Sequence, residues 1–230
     1  MQVNILSGGA AQGLVGTLAP QFKAETGLDI AGAFGAVGAM RDKLLSGTPA
    51  DLLILTRALI EELTAAGHVV PGSAVEVGTV QTAVAVRSGD SPPAVGDAAA
   101  LRAALLASDA VYFPDPKLAT AGIHFARVLD RLGIAAEVAG RLKTFPNGAS
   151  AMAALASAPT PRAIGCTQVT EILSTPGVQF VASLPNGYEL ATVYTAAVTN
   201  SARSPDRARH LAGLLSADAT KPARTRAGFV

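Results

Sequence analysis

Apolar and polar positions alternate along the first third of the chain in a regular way: short apolar runs of strand length, each broken by glycine, each followed by apolar spacing of helical period. Val3-Asn4-Ile5-Leu6 reads as a strand that breaks at Ser7-Gly8-Gly9, and Leu14, Val15 and Leu18 then mark the inward face of a helix predicted over residues 12–26. Gly27 is placed as its C-cap, and a second strand follows over 28–34. Gly35-Ala36-Val37-Gly38 opens a further helix carrying Met40, Leu44 and Leu45, with Arg41 in its first turns. The apolar run 51–55 has the pattern of a strand covered on both faces, and residues 57–67 form the next helix.

Beyond this the character changes. Residues 75–87 predict a long strand, 88–97 a Pro/Gly-rich loop, and 111–113 a short strand ending at Pro114-Asp115-Pro116-Lys117. A helix over 120–133 with a polar start and a terminal glycine follows. Asn147-Gly148 opens an alanine-rich helix, and residues 163–168 form a strand leading into Thr170-Glu171. A second long strand is expected over 188–198, and a terminal helix from Ser204 or Pro205 to Leu215. Such a succession is α/β. If the two long strands each cross between lobes, residues 1–80 and 192–230 make one lobe, 81–191 the other, and a ligand cleft lies between them.

Composition narrows the function classes. Half of the 230 residues are hydrophobic but only 4% aromatic, and the formal charge is +1 from 18 basic and 17 acidic residues. That balance leaves no electrostatic footprint for nucleic acid. No apolar stretch approaches ~20 residues, so membrane insertion is not expected. A cytoplasmic chain is expected if Met1 is the native start, and a periplasmic one if a leader has been removed.

The candidate chemistry sits at the strand ends. Ser7-Gly8-Gly9-Ala10 and Gly35-Ala36-Val37 read either as tight turns or as anion cradles, in which helix N-termini present N–H groups and partial positive charge. In a parallel sheet both turns lie on the carboxyl edge, where ligands bind, which favours the cradle. Ala121-Gly122 opens a third such helix. Three scattered histidines and the single Cys166 have no metal-ligand spacing, and no cofactor is expected. His124 reads as a cleft-facing acid/base or as a satisfied flank histidine, Glu171 as a helix-start acid or a base, and Cys166 as a small buried hydrophobe in preference to a nucleophile. His68 and His210 are expected at the surface.

Taken together, Ser7-Gly8-Gly9-Ala10, residues 21–27, Phe34-Gly35-Ala36-Val37-Gly38, residues 46–52, Asp115-Pro116 followed by Ala121-Gly122-Ile123, and Arg131-Leu132-Gly133 resemble the periplasmic-binding-protein type II fold. Within it the chain is similar to the molybdate-binding-like solute receptors, of which an aconitate isomerase is a relative. The resemblance implies two lobes, a parallel-dominated sheet in each, two crossover strands and a small anionic ligand, with an ABC-type permease as partner if the chain is exported. Receptors of this type hold a tetrahedral dianion with serine hydroxyls, backbone N–H groups and a tyrosine. Here the second turn reads Gly35-Ala36-Val37, and Gln168 stands where the tyrosine would. A site of backbone N–H groups with Ser7, Asn147, Gly148, Thr167, Gln168 and the guanidinium fork of Arg41 suits an organic carboxylate better than molybdate. The alternative is an isomerase that moves a proton on an unsaturated di- or tricarboxylate, with His124 or Glu171 as its acid/base.

Overall fold

The computed structural model describes residues 2–230, and the chain divides into two compact units. One is formed by the chain up to Val80 together with Thr192–Val230, the other by Gln81–Ala191. No helix among the described residues is long and apolar enough to cross a membrane.

The first unit is built on β1 (Gln2–Gly8), β2 (Asp29–Gly35) and β3 (Leu52–Thr56), with β1 paired in parallel to both others and β9 (Ala191–Val198) antiparallel to β3. Helices α1 (Gln12–Thr26), α2 (Val37–Leu45) and α3 (Arg57–Ala65) follow the three parallel strands. Leu52 through Leu55 are all essentially inaccessible, as the continuous apolar run requires of a strand covered on both faces. α9 (Pro205–Ser216) packs on α1, and α10 (Lys221–Ala227) follows it. Asp51, just before β3, is 2% exposed. Its Oδ2 accepts the Asn4 N–H at 2.8 Å, and its Oδ1 accepts those of Arg203 and Ser204 at 2.7 and 3.1 Å, so a single carboxylate ties β1, β3 and the start of α9 together.

β4 (Val75–Arg87) carries the chain into the second unit, where β6 (Leu142–Phe145), β5 (Ala110–Pro114) and β7 (Ala163–Gln168) run parallel in that spatial order. β4 lies antiparallel to β7, and β8 (Val178–Ser183) antiparallel to β4. Alternation along β4 divides the core. Val84 and Val86 join Phe113, Phe125, Val128 and Leu129 on one face, and Ala83 and Ala85 join Met152 and Leu155 on the other. The first face packs α5 (Thr120–Arg131), and the second packs α7 (Gly148–Ala156). Helices α4 (Ala98–Ala107), α6 (Ala135–Val138) and α8 (Val169–Leu173) complete the unit.

Several elements depart from the sequence reading. β9 begins at Ala191 rather than 188, because a turn at Pro185–Tyr188, with Gly187 at φ 81° and the Tyr188 N–H bonded to the Pro185 carbonyl at 2.9 Å, occupies the preceding residues. α4, α6, β6, β8 and α10 are additions, the last replacing α9 as the terminal helix.

Candidate functional site

In the first unit the parallel register sets Gly8 beside Gly35 and Ser7 beside both Phe34 and Ile54. The turns after β1 and β2 therefore leave the sheet at the same edge and the same level. The helix starts of the fold divide by whether a side chain caps them. Thr56 caps α3 by accepting the Leu59 N–H, and Asp97 caps α4 by accepting that of Ala100. By contrast Gly8, which leads through Gly9-Ala10-Ala11 into α1, and Ala36, which leads into α2, provide no side-chain cap. These starts are nevertheless buried: Ala10 is 2%, Ala36 5% and Val37 7% exposed. The first N–H groups of a helix have no intrahelical acceptor, so a buried start without a cap calls for another partner. An anion supplies one.

The side chains around this edge are close-packed. A Cβ on Gly8 would meet Tyr194 Cε1 at 2.8 Å and Val37 Cγ1 at 2.9 Å, so only glycine fits between β9 and the start of α2. Tyr194, which sequence reading did not single out, comes from β9, whose antiparallel register puts it opposite Thr56. Ser7 is fully buried, and its hydroxyl donates to the Gly8 carbonyl at 2.9 Å, leaving its oxygen lone pairs for an incoming donor. Arg41 directs Nε and Nη2 to Asp42 Oδ1 at 3.0 and 2.9 Å. That ion pair is partly exposed, and pairs of this kind contribute about 0–1 kcal/mol, so it is easily exchanged for another carboxylate.

In the second unit the parallel strands β6, β5 and β7 end at one edge, where α7, α5 and α8 begin. α5 starts without a side-chain cap at Ala119, and Ala121 and Gly122 are buried. A Cβ on Gly122 would overlap the Pro114 and Asp115 carbonyls, so glycine lets the helix start lie directly on the end of β5. Asp115 holds the intervening turn by accepting the N–H groups of Lys117 and Leu118 at 2.7 and 2.9 Å.

The start of α7 is occupied by the chain itself. Asn147 Oδ1 accepts the Ser150 N–H at 2.8 Å. The carboxylate of Glu171, 5% exposed, accepts the N–H groups of Gly148, Ala149 and Gln168 and the Thr167 hydroxyl, the last at 2.6 Å. Burial pushes this carboxyl above the ordinary carboxylate range, and the four donations, led by Thr167, pull it back only partway. Gln168, 2% exposed, is the N-cap residue of α8.

The remaining candidates lie apart from these edges or are engaged. His124 Nε2 lies 2.7 Å from the Tyr188 carbonyl oxygen, and Arg131 stacks on the Tyr188 ring, so α5 clamps the chain just before β9. Cys166 is fully buried, which pushes its thiol strongly upward and holds it protonated. His210 reaches Glu25 at 2.6 Å on the surface of the first unit. Among the described residues no three His, Cys, Asp or Glu side chains converge as metal ligands. Three cavities within the units, of about 320, 560 and 250 Å³, are lined by residues other than those at the two strand edges.

Residues 3–230 match a family model described as bacterial extracellular solute-binding protein. An aconitate isomerase from a Pseudomonas species is 28% identical over 228 residues, 95% of this chain and 84% of that protein. Among solved structures, the periplasmic molybdate-binding protein of Azotobacter vinelandii matches with a TM-score of 0.82 at 18% identity, covering 100% of this chain and 99% of its own. The sulfate-binding protein SubI of Mycobacterium tuberculosis H37Rv matches with a TM-score of 0.76 at 18% identity, over 100% and 86%. The two structural likenesses establish the periplasmic-binding-protein fold that the sequence motifs resemble.

Proposed function

The chain belongs to the bacterial extracellular solute-binding protein family, and from that premise we propose that it binds a small oxyanion, an organic carboxylate in preference to molybdate. The observation that carries this reading is the pair of buried, uncapped helix starts that the Gly8–Gly35 register sets side by side. Backbone N–H groups of Gly9, Ala10, Val37 and Gly38 are the proposed donors, and the uncapped start of α5 at Ala121-Gly122 offers equivalent ones in the second unit. The preference for carboxylate rests on the side chains present. Gly35, Ala36 and Val37 contribute no hydroxyl to a tetrahedral dianion, whereas Arg41 supplies a planar fork matched to two carboxylate oxygens. As a receptor, the protein is proposed to deliver this ligand to an ABC-type permease. Calorimetric titration of molybdate, sulfate and di- and tricarboxylates tests the reading: carboxylates should bind, and molybdate should bind orders of magnitude more weakly than it would to a hydroxyl-lined site, since each missing hydrogen bond to a charged group forfeits about 1.5–3 kcal/mol.

A second reading, isomerisation of an unsaturated di- or tricarboxylate, is favoured by one further observation: a buried carboxyl with a raised pKa, Glu171, at the strand edge of the second unit. The aconitate isomerase relative supports the same substrate class. Incubating the protein with cis-aconitate in deuterated water and following the olefinic and methylene signals by NMR tests it. Loss of isomerisation or exchange in Glu171→Gln would assign the proton transfer to that residue, and no turnover by the native chain would leave the binding reading alone.

A further inference from the structure

Glu171 differs from every other acidic side chain of the second unit in what surrounds it. Its carboxylate is held by four donors, three of them backbone N–H groups at helix starts, and none of them is charged. The elements packed on α8 are α7, β7 and β8. None of the three contains a Lys, Arg, His, Asp or Glu, and their one titratable group, the Cys166 thiol, is held neutral by burial. The room for the carboxylate is also specific, because a Cβ on Gly148 would overlap Glu171 Oε2 and Thr167 Oγ1. A four-donor pocket of this composition is what a free carboxylate would be offered, and the chain has filled it with its own.

We infer that Glu171 is the resident anion of the second unit: it occupies the donor cradle at the start of α7, withdraws it from any bound solute, and selects against solutes that concentrate two negative charges in one tetrahedral group at that edge. The inference rests on the anion-binding reading above and deepens it, since it accounts for a carboxylate being accepted where a tetrahedral dianion is not. Deprotonation of Glu171 then places a charge at the edge, so affinity for a tetrahedral dianion falls as pH rises through the titration of this one group.

Calorimetric titration with sulfate and acetate as probes, on the native chain and on Glu171→Gln between about pH 5 and pH 8.5, tests it. The native chain should lose sulfate affinity roughly threefold or more as pH rises, whereas Glu171→Gln should bind sulfate at least about fivefold tighter at pH 8 with a flat profile. Equal affinities and equal profiles would overturn the inference while leaving anion binding standing. If neither probe binds either protein, Glu171→Ala decides the inference on its own, and the anion-binding reading stands or falls on the di- and tricarboxylate titration. That variant empties the cradle, so formate at about 50 mM should raise its Tm by several degrees and leave the native chain unshifted. Should Glu171→Ala not fold alone, formate present during refolding should restore its native circular dichroism. Formate without effect in either form of this measurement overturns the inference.

Discussion

Gly8 of β1 and Gly35 of β2 are direct partners in the parallel register, and each is the last residue of its strand. The relationship follows from packing as much as from pairing. Gly8 has Tyr194 and Val37 against it, and a Cβ on Gly35 would meet Met40 Cε at 2.9 Å, so both strand ends are fixed against the start of α2. Gly8→Ala should therefore displace the Tyr194 ring or the Val37 side chain and destabilise the first unit by about 1–3 kcal/mol. Urea denaturation measures the loss, and calorimetry on the folded variant should show weakened carboxylate binding.

Arg41→Ala is expected to weaken carboxylate binding by more than about 1.5 kcal/mol, because a bidentate charge-assisted contact is removed at the cost of only an exposed pair with Asp42. Ser7→Ala should cost less, since its hydroxyl hydrogen already serves the Gly8 carbonyl. Titration of both variants with the same carboxylate checks the order.

Asp51→Ala leaves the N–H groups of Asn4, Arg203 and Ser204 without their carboxylate in a nearly inaccessible place. A loss of at least about 3 kcal/mol in unfolding free energy is expected, with solute affinity of the folded protein unchanged.

Glu171 contributes a pH dependence of stability whose sign is fixed by its raised folded-state pKa. Its contribution is fully present below the unfolded value of about 4.5 and is lost as pH rises through the folded value. Glu171→Gln, which cannot ionise, should therefore gain stability relative to the native chain between about pH 4.5 and pH 8. Denaturation curves of the two proteins at both pH values measure the gain.

What the sequence made legible has a physical pattern. β1, α1, β4 and β7 were readable to the residue or nearly so, because each carries a strong period or apolar run ended by glycine or a polar cap. β6 and β8 were not. Leu142-Lys143-Thr144-Phe145 is short and half exposed, and β8 is exposed at Phe180, so neither shows the apolar run of a buried strand. α10, with Lys221, Arg224 and Arg226, lacks an apolar stripe, and α4 has apolar residues on nearly every side, which hides its period. At the candidate site, the glycine turns at the strand ends were visible, but the contact of Glu171 with the start of α7 was not. It depends on Gly148 and Glu171, 23 positions apart in sequence, meeting across α7 and α8, and no local pattern encodes that meeting.

The central claim is that two uncapped helix starts hold a carboxylate rather than a hydroxyl-bound dianion, and a thermal-shift screen followed by calorimetry tests it most directly. A bound solute at 100 times its Kd adds roughly 2.7 kcal/mol of stability, which is readily resolved. The account predicts that one or more di- or tricarboxylates raise the Tm and that molybdate and tungstate do not. A sub-micromolar Kd for molybdate, with no response to any carboxylate, would contradict it.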